Sequence, residues 1–528
     1  MKKYPIGIQS FEKIRSGNFY YVDKTEFVYN LVKEESGYYF LSRPRRFGKS
    51  LFLDTLHQAF AGRKEYFKGL FLENNWNWDE QLPVLHISFG AGIFKDTDSL
   101  NSRFNYLLSR FAEEYKVKLK EKNISDRFDE LVRKISEKHN QKVVILIDEY
   151  DKPIIDNIDK PELAIEIREG LKNFYSVIKD LDSYLKFVFI TGVSRFSRVS
   201  IFSGLNNLED ISLGCRYSAI CGYTQNELEY VFKEPLKRVD LNAIKDWYNG
   251  YNFLGEPVYN PFDVLLYLDT GEFRNYWFET GTPSFLIKLL KENQYYIPSL
   301  ELFEAGEGLL GSFEIEHLEP ETLLFQTGYL TIKEEIRLGS RTSYLLGFPN
   351  LEVRMSFTDV ILNHYSCPPA KKEKRLTAVY RALLEARLDD LKEIFLSFFS
   401  SIPHDWYRKN RISEYEGYYA SIFYSYFTAA GLDVTAEDTT NQGRIDLTVK
   451  LDDKIYIMEF KVIEVDKTKG SALEQIKRKK YFEKYQQKGK KIYLVGIEFS
   501  KDHKNIQNFI WEEEIGIINA EQEKRQDI

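Results

Sequence analysis

The sequence predicts an α/β protein built from two unlike sheets, and three stretches carry that expectation. In the first, Tyr38-Tyr39-Phe40-Leu41 runs into Arg43–Ser50 (RPRRFGKS) and out again into a strong helix former, Leu51–Leu56. In the second, an unbroken aliphatic run from Val143 to Ile147 ends in Asp148-Glu149. In the third, Gly443-Arg444-Ile445-Asp446 precedes a strand-like Tyr456–Val462 that carries Glu459 and Lys461. At the front, strands alternating with helical stretches predict a doubly wound, mainly parallel sheet with its ligand at the carboxyl ends of the strands.

The size suits this division. A chain of 528 residues is long enough for about three domains. With 43% hydrophobic and 15% aromatic residues it can fill several cores, which excludes wholesale disorder. A net charge of −7 gives no global nucleic-acid signature, so any basic surface must be local. Three cysteines, Cys215, Cys221 and Cys367, make no disulfide framework and fit a reducing compartment. The start MKKYPIGIQSF lacks an apolar segment after its lysines, and no window reaches the length of a membrane span. A soluble, cytoplasmic protein with no membrane partner is expected.

The first 37 residues are weakly patterned, apart from Tyr20–Thr25 and a helical run over Glu26–Lys33. In the strand–loop–helix that follows, free N–H groups at the helix start and the positive end of its dipole face an incoming anion. Arg46, Phe47, Gly48, Lys49 and Ser50 form the loop that would hold a triphosphate. Lys49 would neutralise the β- and γ-phosphates and the Ser50 hydroxyl would complete a Mg²⁺ shell. Arg43 stands where such a loop normally opens with glycine, and a non-glycine residue at positive φ there would be strained.

A second strand is expected over Pro83–Phe89, with amphipathic helices over Ser99–Lys122 and Arg127–Lys138. The aliphatic run before Asp148 marks a strand buried on both faces. Downstream of a phosphate loop, Asp148 would hold Mg²⁺ and Glu149 would orient the attacking water; the plainer alternative is two solvated acids at a strand end. The next strand, Lys186–Thr191, puts Thr191 in position to sense a γ-phosphate, with Arg195 or Arg198 in reach of one. Asp210–Leu213 is the candidate fifth strand. Beyond Gly222, Thr224 and Glu227 form a capping box, and short helices follow. Leu323–Lys333 with Ser343–Pro349 reads as a helix and a two-stranded wing, so 216–370 is expected to be a helical lid and winged-helix region. Pro368-Pro369 breaks the chain, a charged helical connector fills 371–410, and Pro403 with Arg408, Lys409 and Arg411 introduces a domain over 411–520. The front domain spans 1–215.

The rear domain has its own constellation. Glu459 and Lys461, two apart on a strand, leave the same face, and a hairpin would bring Asp446 beside Glu459. Two carboxylates with an open position suit an oxygen-liganded Mg²⁺, so Asp446 and Glu459 are the metal candidates. Lys461 would position or help deprotonate a water attacking a phosphodiester. Glu416 would add acidity from an aromatic-rich helix, and Gln475 would orient the water or the lysine. Alone, Glu-x-Lys in a chain that is 29% charged reads as a surface ion pair; Asp446, Glu459, Lys461 and Gln475 in this order are much rarer. Residues 467–491 hold ten Lys/Arg against two acids, a local +8 that either tracks a phosphate backbone or is a solvated face. Tyr481, Phe482 and Tyr485 read as core.

With these residues in hand, the chain resembles a family of bacterial AAA-ATPase-like proteins with a C-terminal PD-(D/E)XK nuclease domain of restriction-endonuclease-like α/β fold. The matching stretches are YPIGIQSFEKI, YYVDKTEF, FLSRPRRFGKSLFLDTL, VVILIDEYDKP, FITGVSRFS with SGLNNLEDIS, WYNGYNF, VYNPF, TGYLTI, GRIDL, MEFKV and ALEQI. In that family arginine at the first loop position is normal. The resemblance implies ATP at Gly48, Lys49, Ser50, Asp148 and Glu149. It also implies a Mg²⁺-dependent nuclease core at Asp446, Glu459 and Lys461, with Glu416 and Gln475 in support. The expected activity is an ATP-regulated nuclease acting on DNA, with defence or mobile-element biology as the setting by analogy and a homo-oligomer formed through the ATPase domain. The competing expectation is a nucleotide-switched sensor or scaffold whose nuclease-like domain binds nucleic acid without cutting it. A DNA translocase is disfavoured by the single ATPase core and the missing strand-separation motifs.

Overall fold

The computed structural model describes residues 2–33, 37–195, 198–278, 286–287, 289–290, 295–311, 319–365, 369–402, 416–463, 470–486 and 490–514. Pro368, Pro403, the basic run at Arg408, Lys409 and Arg411, and Lys467, Lys469 and Lys488 lie outside them. The chain forms two compact units, one of residues 1–285 and 304–351, the other of 286–303 and 352–528.

The front unit is organised by a five-stranded parallel sheet. Its strands are β1 (Tyr38–Ser42), β2 (Val84–Ser88), β3 (Val143–Asp148), β4 (Leu185–Gly192) and the short β5 (Glu209–Asp210), in the order β2-β3-β4-β1-β5. Every residue of β3 is buried, as an aliphatic run covered on both faces requires. Helix α1 (Lys49–Phe60) leaves the phosphate loop and lays Phe52 on Phe189 and Phe60 on Phe187 of β4. Helices α2 (Thr97–Glu114), α3 (Ile124–His139) and α4 (Pro161–Asp180) pack through a stack of Phe104, Phe174 and Phe128, with ring centroids 4.1 and 4.5 Å apart.

Two expected elements end early. The helix expected to reach Lys122 stops at Glu114, because Lys116 takes φ +53° and Val117 turns its N–H back to the Ala112 carbonyl. The expected fifth strand shrinks to Glu209-Asp210: Ile211 still gives its N–H to Phe40, but beyond it side chains replace the ladder, with the Ser212 hydroxyl accepting from Ser42 N and its carbonyl from Arg43. Further on, α5 (Pro320–Thr327) stops at Gly328, where φ is +92°. The strands β7 (Thr331–Leu338) and β8 (Arg341–Gly347) then form an antiparallel hairpin, which β6 (Phe303–Gly306) extends in the order β6-β8-β7.

The rear unit is built on a mixed sheet of β9 (Asp433–Thr440), β10 (Gly443–Leu451), β11 (Lys454–Ile463), β12 (Lys491–Ser500) and β13 (Ile506–Glu514). All neighbours run antiparallel except β11 and β12, which are parallel. The helices α6 (Pro369–Leu384) and α7 (Leu388–Ser400) belong to this unit, with Ala386 at φ +53° turning the chain between them. Helix α8 (Glu416–Ala429) is buried from Tyr418 to Thr428: Phe423 stacks on Phe395 of α7 and Tyr419 on Phe499 of β12, each at 3.7 Å. Opposite in character is α9 (Ser471–Arg478), between β11 and β12, which buries only Ala472, Leu473 and Ile476. It lies so close to β12 that a Cβ on Gly496 would stand 2.4 Å from the Leu473 nitrogen, so this position must be glycine. Residues 295–303 also join the rear core: Ile297 donates to Ser421 Oγ, and Glu301 accepts from Arg354 and Tyr424.

Candidate functional sites

The front site lies where β1, β3 and β4 end. Their carboxyl ends face a cleft of about 480 Å³ bordered by Arg45, Arg46, Gly48, Lys49 and Ser50 on the loop and by Glu149, Asp151 and Lys152 beyond β3. Arg43 is not at positive φ; the left-handed positions are Arg46 at +68° and Gly48 at +95°. A Cβ on Gly48 would meet nothing within 4 Å, so the loop backbone borders open space, the cradle that a phosphate group fits.

Arg43 is buried inside the unit. Its guanidinium donates to the carbonyls of Ser42 (2.8 Å), Ser212 (2.7 Å) and Tyr217 (2.9 Å) and lies 3.8 Å above the Phe253 ring. Burial pushes its pKa down to about 10. The residue that breaks the glycine pattern thus ties the loop to the segment after β5.

Lys49 is buried as well, with Nζ donating to the Arg43 (2.9 Å) and Pro44 (3.0 Å) carbonyls; burial pushes its pKa down, while Asp148 and Glu149 oppose that shift. Thr191 lies behind Asp148, and its hydroxyl donates to Asp148 Oδ1 at 2.8 Å. Thr191 therefore orients Asp148 and is not part of the cleft wall. Glu149, at φ +56°, has its carboxyl pushed up by burial and then by the neighbouring Asp148. The Phe47 side chain packs edge-on against Tyr251 at 4.7 Å, away from the cleft. Arg195 and Arg198 both turn to Asp210, at 3.3 and 3.5 Å, and neither borders the cleft.

Two contributors escape a motif-based reading. Asp151 is fully buried and accepts from Val193 N (3.2 Å), Ser194 N (2.7 Å) and Ser194 Oγ (2.7 Å), which fixes the turn after β4. Pro5, Gly7, Ile8 and Gln9 also form part of the cleft wall, as do Pro261, Phe262 and Leu265. Asp151 lies in the DEYD string and Pro5–Gln9 in the YPIGIQSFEKI stretch, yet neither string reveals these contacts, which join residues far apart in the chain.

In the rear site Leu447 pairs with Met458, so Asp446 and Glu459 follow on adjacent antiparallel strands. Asp446 Oδ2 accepts from Phe460 N at 2.8 Å. Glu459 is 3% exposed; Oε1 accepts from the Gln475 amide, while Oε2 is buried with no hydrogen-bond partner. Burial pushes both carboxyls up, Asp446 to about 7 and Glu459 to about 9; Asp446 adds to the shift of Glu459, and Glu416 adds to both. Lys461 opposes both shifts, and its Nζ donates to the Ser471 carbonyl at 3.0 Å. Glu416 Oε1 accepts from Val462 N at 3.1 Å. All five expected residues, from α8, β10, β11 and α9, thus meet in one place. The donor set, two adjacent carboxyls with one orphaned oxygen, fits a hard divalent cation such as Mg²⁺.

Glu437 and Glu498 were not expected. Glu437 on β9 raises Asp446 further. Glu498 holds the start of α9 through Gly470 N (3.1 Å), Ser471 Oγ (2.8 Å) and Ala472 N (3.2 Å), which aims Gln475 at Glu459. The basic stretch is partly spent: Lys477 pairs with Glu512 at 2.5 Å, Lys480 with Glu483 at 3.5 Å, and Lys484 with Asp438. Tyr481 and Tyr485 are core.

Comparison with known proteins decides the family. Residues 5–202 match the family described as Predicted AAA-ATPase, and residues 414–509 match the PD-(D/E)XK nuclease superfamily. A protein of Azotobacter chroococcum mcd 1, described as "Uncharacterized protein in vnfD 5'region", is 49% identical over 512 residues, covering 97% of this chain and 99% of its own. The chain belongs to this family of AAA-ATPase-like proteins with a PD-(D/E)XK nuclease superfamily domain. The front sheet is the AAA-ATPase-like domain, and the rear mixed sheet is consistent with the PD-(D/E)XK fold. Among the described residues no helix is long and apolar enough to cross a membrane.

Proposed function

We propose that the protein binds and hydrolyses ATP and that its nucleotide state regulates an attached Mg²⁺-dependent nuclease that cleaves DNA phosphodiesters. The observation that carries this reading is the rear cluster, where Glu459 keeps a buried, unpartnered oxygen beside Asp446 with Lys461 and Gln475 in reach. Asp446 and Glu459 hold Mg²⁺, which supplies Lewis acidity when bound. Lys461 positions the attacking water, Gln475 keeps Glu459 in place, and Glu416 adds negative charge to the site. In the front cleft, Arg46, Phe47 (through its backbone), Gly48 and Lys49 surround the phosphates. Ser50 and Asp148 serve the metal, Thr191 holds Asp148, and Glu149 orients the hydrolytic water.

Residues 1–215 are the ATPase domain, 216–370 the lid and wing, 371–410 the link, and 411–520 the nuclease domain. The ATPase domain also supports a homo-oligomer, the protein works in the cytoplasm, and the setting is defence or mobile-element biology. The test is Mg²⁺-dependent cleavage of plasmid DNA, with and without ATP, by wild type, Lys49→Ala and Lys461→Ala. One observation favours a second reading, a nucleotide-switched scaffold that binds nucleic acid without cutting: Lys461 is hydrogen-bonded to a backbone carbonyl. That reading requires tight DNA binding and no cleavage in the same assay.

A further inference from the structure

A third cluster of ionisable groups joins α1 to β2 through residues that have no role assigned so far. Asp54 and His57, one turn apart on α1, meet His86 of β2, and one ligand atom from each comes within 4.8 Å of the other two. His57 is eight residues beyond Lys49, which along a helix is about 12 Å from the phosphate loop. The cluster and the cavity beside it share no residue with the ATP cleft.

Three observations point to a ligand here. His86 Nε2 is buried and has no hydrogen-bond partner, a cost a neutral core imidazole ordinarily avoids. Asp54 is oriented from behind, with Oδ2 accepting from Phe11 N at 2.6 Å and Oδ1 only a long 3.4 Å contact from Gln58. Such a partner is what fixes a ligating carboxylate. Finally, His57 and His86 border a cavity of about 230 Å³ whose wall also includes Glu114, leaving room for a fourth ligand.

We propose that Asp54, His57 and His86 form a binding site for a borderline transition-metal ion of the Zn²⁺ class, clamping α1 to the edge strand β2. Two imidazoles and one carboxylate match the ligand softness and number of such sites, which keep one position open. The set is ill suited to Mg²⁺, which takes oxygen ligands. Glu114, whose charge acts on His57, or a water fills the fourth position. Arg103 and Arg110 also border the cavity and oppose a cation; Arg103 is held by the Ser88 carbonyl at 2.7 Å, and Arg110 lies over the Phe111 ring. The alternative is a neutral histidine pair packed edge to face, with ring centroids 6.0 Å apart.

The test uses the full chain carrying Asp446→Asn and Glu459→Gln, so that the rear carboxylates do not contribute. After chelator stripping it is titrated with Co²⁺ in excess Mg²⁺, which occupies oxygen-only sites. The expected result is about one Co²⁺ per chain with the visible absorption of a four-coordinate nitrogen-ligated ion, displaced by Zn²⁺. Adding His57→Gln or His86→Gln, which keep volume and a hydrogen-bonding group, lowers affinity at least about tenfold. Zn²⁺ also raises the thermal midpoint of the parent and not of these variants. No visible band in the parent overturns the proposal whatever the variants do, as does equal Co²⁺ uptake by parent and variants.

Discussion

The front and rear sites both set a lysine among carboxylates, yet they are poised for ligands of opposite charge. In front, Asp148 and Asp151 already have partners in Thr191, Val193 and Ser194, and buried Lys49 lies among the acids. Arg45, Arg46, Lys49, Lys152 and a helix N-terminus border the open cleft and outnumber Glu149, Asp151 and Asp156, which on the proposed function suits an anion. At the rear, Glu437 is paired with Arg444 at 3.3 Å, but Asp446, Glu459 and Glu416 still outnumber Lys461, and one carboxylate oxygen is left without a partner. That surplus awaits a cation. On the proposed function, the charge left uncompensated, and not the residue types alone, would set what each site binds.

The largest expected effect sharpens the front half of this contrast. Arg43→Ala removes a buried guanidinium that serves three carbonyls within 3.0 Å and stacks on Phe253. It should lower the stability of the front unit by about 3–4 kcal/mol in chemical denaturation, with Arg43→Lys recovering less than half. Next, Lys49→Ala should weaken ATP binding on the order of 10²-fold by calorimetry, about 3 kcal/mol, with the fold retained. An unchanged affinity would break the anion assignment.

At the rear, raised carboxyl pKa values mean that the metal-free protein loses stability as pH climbs from 4.5 toward about 9, the window over which Glu459 ionises late. Glu459→Gln should therefore stabilise the metal-free chain by about 1–2 kcal/mol at pH 8 and by nothing at pH 4. Mg²⁺ affinity of the wild type should rise across the same window, because the metal displaces protons. The smallest effects concern the basic stretch. Lys479→Gln should reduce the salt slope of DNA binding by about one, whereas Lys484→Gln should chiefly destabilise the rear unit through loss of the Asp438 pair.

Local chemistry made much of this legible. Aliphatic runs announced β3 and β4, the glycine-lysine-serine loop announced α1, and the order Asp446, Glu459, Lys461, Gln475 announced the rear cluster. The rest was hidden because it depends on contacts far apart in the chain. Nothing near Arg43 reveals that its partners are Ser212 and Tyr217. Nothing near Glu498 reveals that it aims α9, and residues 286–303 give no local sign of joining the rear unit. The helix end before the left-handed Lys116 was hidden for a local reason: periodicity continues past the turn that stops the helix.

The most direct test of the central claim is cleavage of supercoiled plasmid by the full chain in Mg²⁺. Wild type should nick or linearise the DNA, with a rate that depends on ATP. Lys461→Ala should lose activity by about 10²–10³-fold, and Lys49→Ala should cleave without responding to ATP. Cleavage by Lys461→Ala at the wild-type rate would contradict the account.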